Sequence, residues 1–197
     1  QTLMEVGRVS GVEPGLDHAS DVEFDRAKNG KTVVKVQGRF LSSSFDPEKE
    51  AVRWCDTVMS SGPTDLCCVV LGIGSGYHIV ELQNRIRKPV VAIDTMTLLR
   101  GHFEEYFRDV LAEQRSVNLN ASRCLIFSNE ESFRKSTDID FLFKQPYRVI
   151  VHAPSFDLKS DFYLHVRKLL IGRDFESLRW QLERRGLWGG ATSCHVE

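Results

Sequence analysis

The chain has 197 residues, 26 Lys and Arg against 27 Asp and Glu, a formal charge of -1, and 42% hydrophobic against 27% charged residues. That balance describes one ordinary folded unit with apolar material for a core, and it excludes a disordered or fibrous chain. The longest apolar run, Leu66 to Gly74, is nine residues, about half of the roughly 20 that a membrane helix needs, and the near-neutral charge lacks a nucleic-acid binder's basic excess. Neither a membrane nor a nucleic acid is therefore expected as a partner.

The first twenty residues, with Gly7, Gly11, Pro14 and Gly15 among polar neighbours, have no clear period and read as a loose arm or short edge strand. From Val22 to Leu41, alternating apolar residues broken by Asn29-Gly30 and Gln37-Gly38 predict an antiparallel meander. Asp46 as N-cap, Pro47 at the first helical position, and Ala51, Trp54, Cys55, Val58 and Met59 at helical spacing predict a helix that Ser61-Gly62-Pro63 stops. The run Leu66–Leu71 reads as a strand buried on both faces, feeding Gly72-Ile73-Gly74-Ser75-Gly76 and a helix from Tyr77 to about Arg87.

A second strand, Val90–Ile93, is closed by Asp94, and a helix follows from Thr97 to about Leu111. Arg123–Phe127 reads as a third strand, Ser128 to Phe133 as a polar link or helix turn, and Tyr147–Val151 as a fourth strand ending at His152-Ala153-Pro154. The tail from Asp161 reads as helix, weakened or broken at Gly172 and ending near Arg185. Strands interleaved with amphipathic helices predict right-handed βαβ units and a mostly parallel sheet. The expected fold is α/β and Rossmann-like, with an arm and meander over 1–45 and the α/β domain with its helical tail over 46–197.

The five cysteines, at 55, 67, 68, 124 and 194, form no C-x-x-C pair, and the six histidines never fall at i, i+4. Buried reduced thiols in a cytoplasmic protein, with no metal site, are expected.

The strand, glycine turn and helix around 66–87 carry the most chemistry. Glycines at 72, 74 and 76 permit a tight bend whose amides a ligand can approach, and the helix opening at Tyr77 points its positive end there. Asp94 follows Gly72 by 22 positions, where doubly wound folds place an acid that accepts ribose hydroxyls. A nucleotide-type ligand is the expectation, with tight packing and helix capping as the structural alternative. The third glycine of the dinucleotide pattern would fall at Tyr77, which disfavours NAD. No G-x-S-x-G elbow or Walker Gly-Lys-Ser/Thr occurs.

The spacing of Gly72, Gly74 and Gly76 is similar to the first motif of class I S-adenosylmethionine-dependent methyltransferases, and Asp94 to their second-strand acid; Val70 stands where those enzymes carry a carboxylate. Leu41-Ser42-Ser43-Ser44-Phe45-Asp46-Pro47-Glu48-Lys49-Glu50-Ala51, followed by Leu71 to His78, resembles the leading domain of the motility accessory factor (Maf) family, related to 6-hydroxymethylpterin diphosphokinase-like proteins. The chain departs from that pattern at Ser42 and Phe45. The resemblance covers about half of the chain and implies a segment preceding the transfer domain of bacterial flagellin glycosyltransferases, with a nucleotide sugar as ligand.

The candidate ligand-binding residues are thus Gly72, Ile73, Gly74, Ser75, Gly76, Tyr77, His78 and Asp94. Ser128 with Asn129, and His152 with Ser155, join them at the carboxyl edge of the third and fourth strands, where open parallel sheets bind ligands. His152 would be the base of an enzymatic version. Ser42 to Ser44 and Asp46 read either as a helix approach or as a loop near the crevice. Phe175, Leu178, Leu182, Leu187 and Trp188 form an apolar stripe that packs on the core or meets a downstream domain or a second copy. Three functions stay open: a nucleotide-type binding module, a methyltransferase using adenosylmethionine, and a non-catalytic interaction domain.

Overall fold

Alternation along the first described residues builds three antiparallel strands, β1 (Val22–Arg26), β2 (Thr32–Val36) and β3 (Arg39–Phe40), with Phe24 opposite Val34 and Val36 opposite Arg39. The computed structural model describes residues 22–106 and 123–188. Gln37 (φ 52°) and Gly38 (φ 74°) form a two-residue turn with both residues left-handed, the geometry that matches strand twist.

Helix α1 (Pro47–Ser60) starts where its cap predicts: the Asp46 carboxylate accepts the Lys49 amide at 2.9 Å and the Asn29 side-chain amide at 3.1 Å. Its buried stripe, Ala51, Cys55 and Val58, packs against α2 (Tyr77–Arg85).

Strands β4 (Cys67–Leu71), β5 (Val90–Asp94), β6 (Arg123–Ile126) and β7 (Tyr147–Val151) form one sheet in the order β6-β5-β4-β7, parallel at every pairing. The apolar run that forms β4 is continuous because both faces are covered. Cys68 and Val70 face the layer of β2, α1, α2 and α3 (Thr97–Tyr106), while Cys67, Val69 and Leu71 face the layer of α6 (Ser160–Ile171) and α7 (Phe175–Arg184). Val34, Val36 and Leu41 of the meander share the first of these cores.

Of the two alternatives for Ser128 to Phe133, the helical one holds: helix α4 (Glu130–Lys135) is started by a reciprocal cap in which Asn129 and Ser132 each accept the other's amide hydrogen. Two further elements go beyond the sequence reading: a 3-10 turn at Asp140–Lys144, and the one-turn helix α5 (Ala153–Phe156) directly after β7. Gly172 (φ 64°) separates α6 from α7, where a β-carbon would meet the Gln181 side chain at 2.5 Å. The expected arm over 1–20, the helix beyond Tyr106 and the residues from Gly189 lie outside the described residues. No helix among the described residues is long and apolar enough to cross a membrane.

Candidate functional site: the carboxyl edge of the sheet

The chain moves outward from β4 through β5 to β6, then crosses back over β4 to β7. The topological switch point, where open α/β sheets bind ligands, therefore lies beyond the carboxyl ends of β4 and β7. The glycine turn leaves β4 there, with left-handed φ at Gly72 (106°), Gly74 (54°) and Gly76 (90°).

Side chains fill that crevice. A β-carbon on Gly72 would lie 2.4 Å from Ser155 Cβ, and one on Gly74 would lie 2.6 Å from His152 Cε1. The glycines serve the close approach of α5 and its preceding residue. Three of the turn's amides are engaged as well: Gly72 N–H donates to Ile93 O, Ile73 N–H to Asp94 Oδ2 at 2.7 Å, and Gly76 N–H to Ile73 O. Ser75, 1% exposed, accepts the Val34 amide at 2.9 Å and meets Ser42 Oγ at 2.7 Å. The Tyr77 hydroxyl donates to Thr32 O at 2.8 Å. The bend is closed in this structure, where the sequence reading has it open to a ligand, and the meander is docked on it.

His78 and His152 lie inside the same plug. Their rings stack with centroids 3.9 Å apart and 6° between planes, and Trp54 meets His78 edge-on at 5.0 Å. The Gly72 carbonyl can only accept, so His78 Nε2 carries the proton it donates over 3.2 Å. His152 Nδ1 and Ser155 Oγ are 2.8 Å apart. Burial lowers the His78 pKa to about 4, against a small opposing pull from the Gly72 carbonyl. His152 is held well below its ordinary value by burial and then by the adjoining His78. Both rings are neutral near pH 7, which is what a buried stack requires.

Asp94 is 1% exposed at the end of β5. Its Oδ1 accepts the amides of Thr95 (2.7 Å) and Met96 (3.2 Å), its Oδ2 that of Ile73, and the buried Tyr163 hydroxyl of α6 donates to the same carboxylate. Burial raises its pKa, opposed by these donors, and burial with the Asp94 contact drives the Tyr163 hydroxyl well up. A carboxylate offers about four acceptor positions. The four protein donors occupy them, so the acid expected to hold a ribose binds the glycine turn, the β5–α3 loop and α6 together.

The open space lies one strand over. A crevice of about 670 Å³ sits at the carboxyl ends of β5 and β6, with Val36 and Gln37 of the meander on one side and Lys159 to Phe162 on the other. Thr95, Met96, Ser128 and Asn129 line its floor. Of the expected site residues, Ser128 lines this crevice, Asp94 adjoins it through Thr95, and Gly72 to His78 and His152 form the closed joint beside it. Thr95, Met96 and Tyr163 escaped sequence reasoning; the available signal was that Thr95 and Met96 directly follow a strand-ending acid. Glu131 is 2.5 Å from Lys135, which balances that acid locally, and Glu130 lies 3.3 Å from the His165 ring. Among the described residues no cluster of three or more His, Cys, Asp or Glu is placed to hold a metal ion.

No protein-family model matches the chain, and a search of curated proteins finds no match. The fold and crevice define the class: a Rossmann-like α/β domain whose switch point is filled by its own side chains and whose carboxyl-edge crevice is displaced onto the second and third strands.

Proposed function

We propose that the chain is a ligand-binding module in which this crevice takes the base-and-ribose end of a nucleotide-type ligand, a nucleotide sugar or a relative of one. The setting is a cytoplasmic protein similar to the leading part of Maf-type glycosyltransferases. The observation that carries the reading is the Thr95 hydroxyl: Oγ1 is buried on a residue lining the crevice and has no partner among the described residues. An unsatisfied buried hydroxyl is costly, and rotation of the Thr95 side chain toward the crevice would let a ligand group satisfy it.

The walls support the same reading. Met96, Leu98, Leu158 and Phe162 offer apolar surface to a planar ring, beside the polar Ser128 and Asn129. With Glu131 paired, Glu130, Asp161 and Lys159 leave the crevice slightly acidic, which suits an uncharged nucleoside end better than a polyphosphate. Buried unpaired thiols at Cys55, Cys67 and Cys68 support the reducing compartment.

A second reading, a non-catalytic interaction domain, is favoured by the closed glycine turn and by the exposed Phe175, Leu178, Leu187 and Trp188 on and just after α7. The methyltransferase reading is weakened by the engagement of Asp94 and by Val70, fully buried in the core. A thermal-shift panel of adenosylmethionine, ATP, GTP, a CMP-sugar and a UDP-sugar separates the three. A ligand at 100 times its Kd stabilises by about 2.7 kcal/mol, a rise of about 5 °C or more for this length. That rise is expected for a nucleotide sugar and is expected to vanish in Ser128→Trp, which fills the crevice from an exposed position. A rise with adenosylmethionine alone supports the methyltransferase; no rise with any member leaves the interaction domain.

A further inference from the structure

We infer that the outer edge of β7, unpaired among the described residues, is a docking site for an extended segment of a partner protein carrying an acidic side chain, which joins the sheet as a fifth strand. The inference is independent of the crevice.

Among the described residues β7 pairs with β4 alone. Cys67 N–H donates to Pro146 O and His152 N–H to Leu71 O, which fixes the parity of the ladder. In a parallel pair alternate residues of a strand bond the same neighbour, so Arg148 and Ile150 also face β4. Tyr147, Val149 and Val151 turn their N–H and C=O groups outward, and none of those groups has a hydrogen-bond partner among the described residues. All five residues of β7 are only half-buried, unlike the fully buried β4 and β5.

A groove of about 410 Å³ lies at the first half of this edge, lined by Tyr147, Arg148 and Val149, by the end of α6, and by Arg185. Arg148 sits on the α1 side, where Nη1 donates to Val58 O at 3.1 Å and Nε to Cys68 Sγ at 3.4 Å; Nη2 is buried without a partner. No carboxylate lines the groove to pair with either guanidinium. Main-chain groups of an added strand would satisfy the outward N–H and C=O row, and an acidic side chain would reach Arg185, giving affinity from the backbone and selectivity from charge.

The same charges identify the occupant. A second copy would bring Tyr147-Arg148-Val149-Ile150-Val151, which holds no acid, against the first, placing like charges at one edge. Charged residues on sheet edges oppose self-pairing in this way. A partner strand with Glu or Asp meets no such penalty.

The test uses acetylated and amidated alternating Thr/Val peptides with one Glu at successive positions, and matching peptides with Lys for Glu. Amide exchange and binding are followed on the full chain. A Glu peptide is expected to slow exchange at Tyr147, Val149 and Val151, and the Lys peptides are not. Val149→Pro removes an outward N–H, a change edge strands tolerate, and should abolish protection; Arg185→Glu, at an exposed position, should weaken binding roughly tenfold or more. If Val149→Pro loses the native circular dichroism, Arg185→Glu decides. The proposal is overturned if no Glu peptide protects the edge at millimolar concentration, if Lys peptides protect it equally, or if the edge amides of the unliganded chain are already protected in a species sedimenting as a dimer.

Discussion

The Asp94 carboxylate accepts the Ile73 amide hydrogen at 2.7 Å, so the acid that closes β5 holds the glycine turn that leaves β4. With Thr95, Met96 and Tyr163 as its other donors, the same group ties three segments to one buried point and sets the floor of the crevice beside it.

Asp94→Ala is therefore expected to act on stability. It strands three amides and a phenol in the interior, and each unsatisfied buried donor costs about 1–3 kcal/mol, so a loss of about 3 kcal/mol or more is expected in urea unfolding. Asp94→Asn, which keeps an acceptor oxygen, should lose less. An unchanged unfolding midpoint in Asp94→Ala would show that the carboxylate is free for a ligand.

Gly72 and Gly38 separate strain from crowding. Both have left-handed φ, but a β-carbon on Gly38 meets nothing within 4 Å while one on Gly72 meets Ser155 Cβ at 2.4 Å. Gly38→Ala should cost about 1–2 kcal/mol through backbone strain alone, and Gly72→Ala about 3 kcal/mol or more once overpacking is added. Ser155→Gly should recover about 1 kcal/mol or more of the second loss and none of the first, as a double-mutant cycle in chemical denaturation reports.

The stacked histidines make stability depend on pH with a definite sign. Their folded pKa values are depressed, His78 to about 4 and His152 well below the ordinary value, so between there and about 6.5 the unfolded chain binds more protons. Stability is then full above about 6.5 and falls as pH drops, by up to about 1.4 kcal/mol per pH unit for each ring. His78→Phe keeps an aromatic ring on the stack and removes one titrating group, so the slope between pH 6 and about 4.5 should fall by about 1.4 kcal/mol per unit. Equal slopes in the two proteins would mean that His78 is protonated in the fold.

Much of the architecture is legible locally. The unbroken run in β4 shows that both sheet faces are covered, Asp46-Pro47 marks the start of α1, and Gly172 marks the break between α6 and α7. The state of the glycine turn is not, because the residues that close it, His152 and Ser155, come from the far end of the chain and reach it only after the crossover to β7. A G-x-G-x-G turn reads the same whether a ligand or the protein's own imidazole fills it. Helix α5 is hidden for a related reason: four residues including Pro154 carry no period. One of the four donors that engage Asp94 is hidden likewise: Tyr163, a residue whose helical spacing marks it only as core.

The central claim is that the ligand site is the β5–β6 crevice and the glycine turn is its closed support. Amide chemical-shift mapping with the nucleotide-sugar members of the panel tests it most directly. The expected result is saturable shifts at Thr95, Met96, Ser128 and Asn129, with Gly74, Ser75 and Gly76 unmoved; shifts confined to the turn, or none at any residue at saturating concentration, would contradict it.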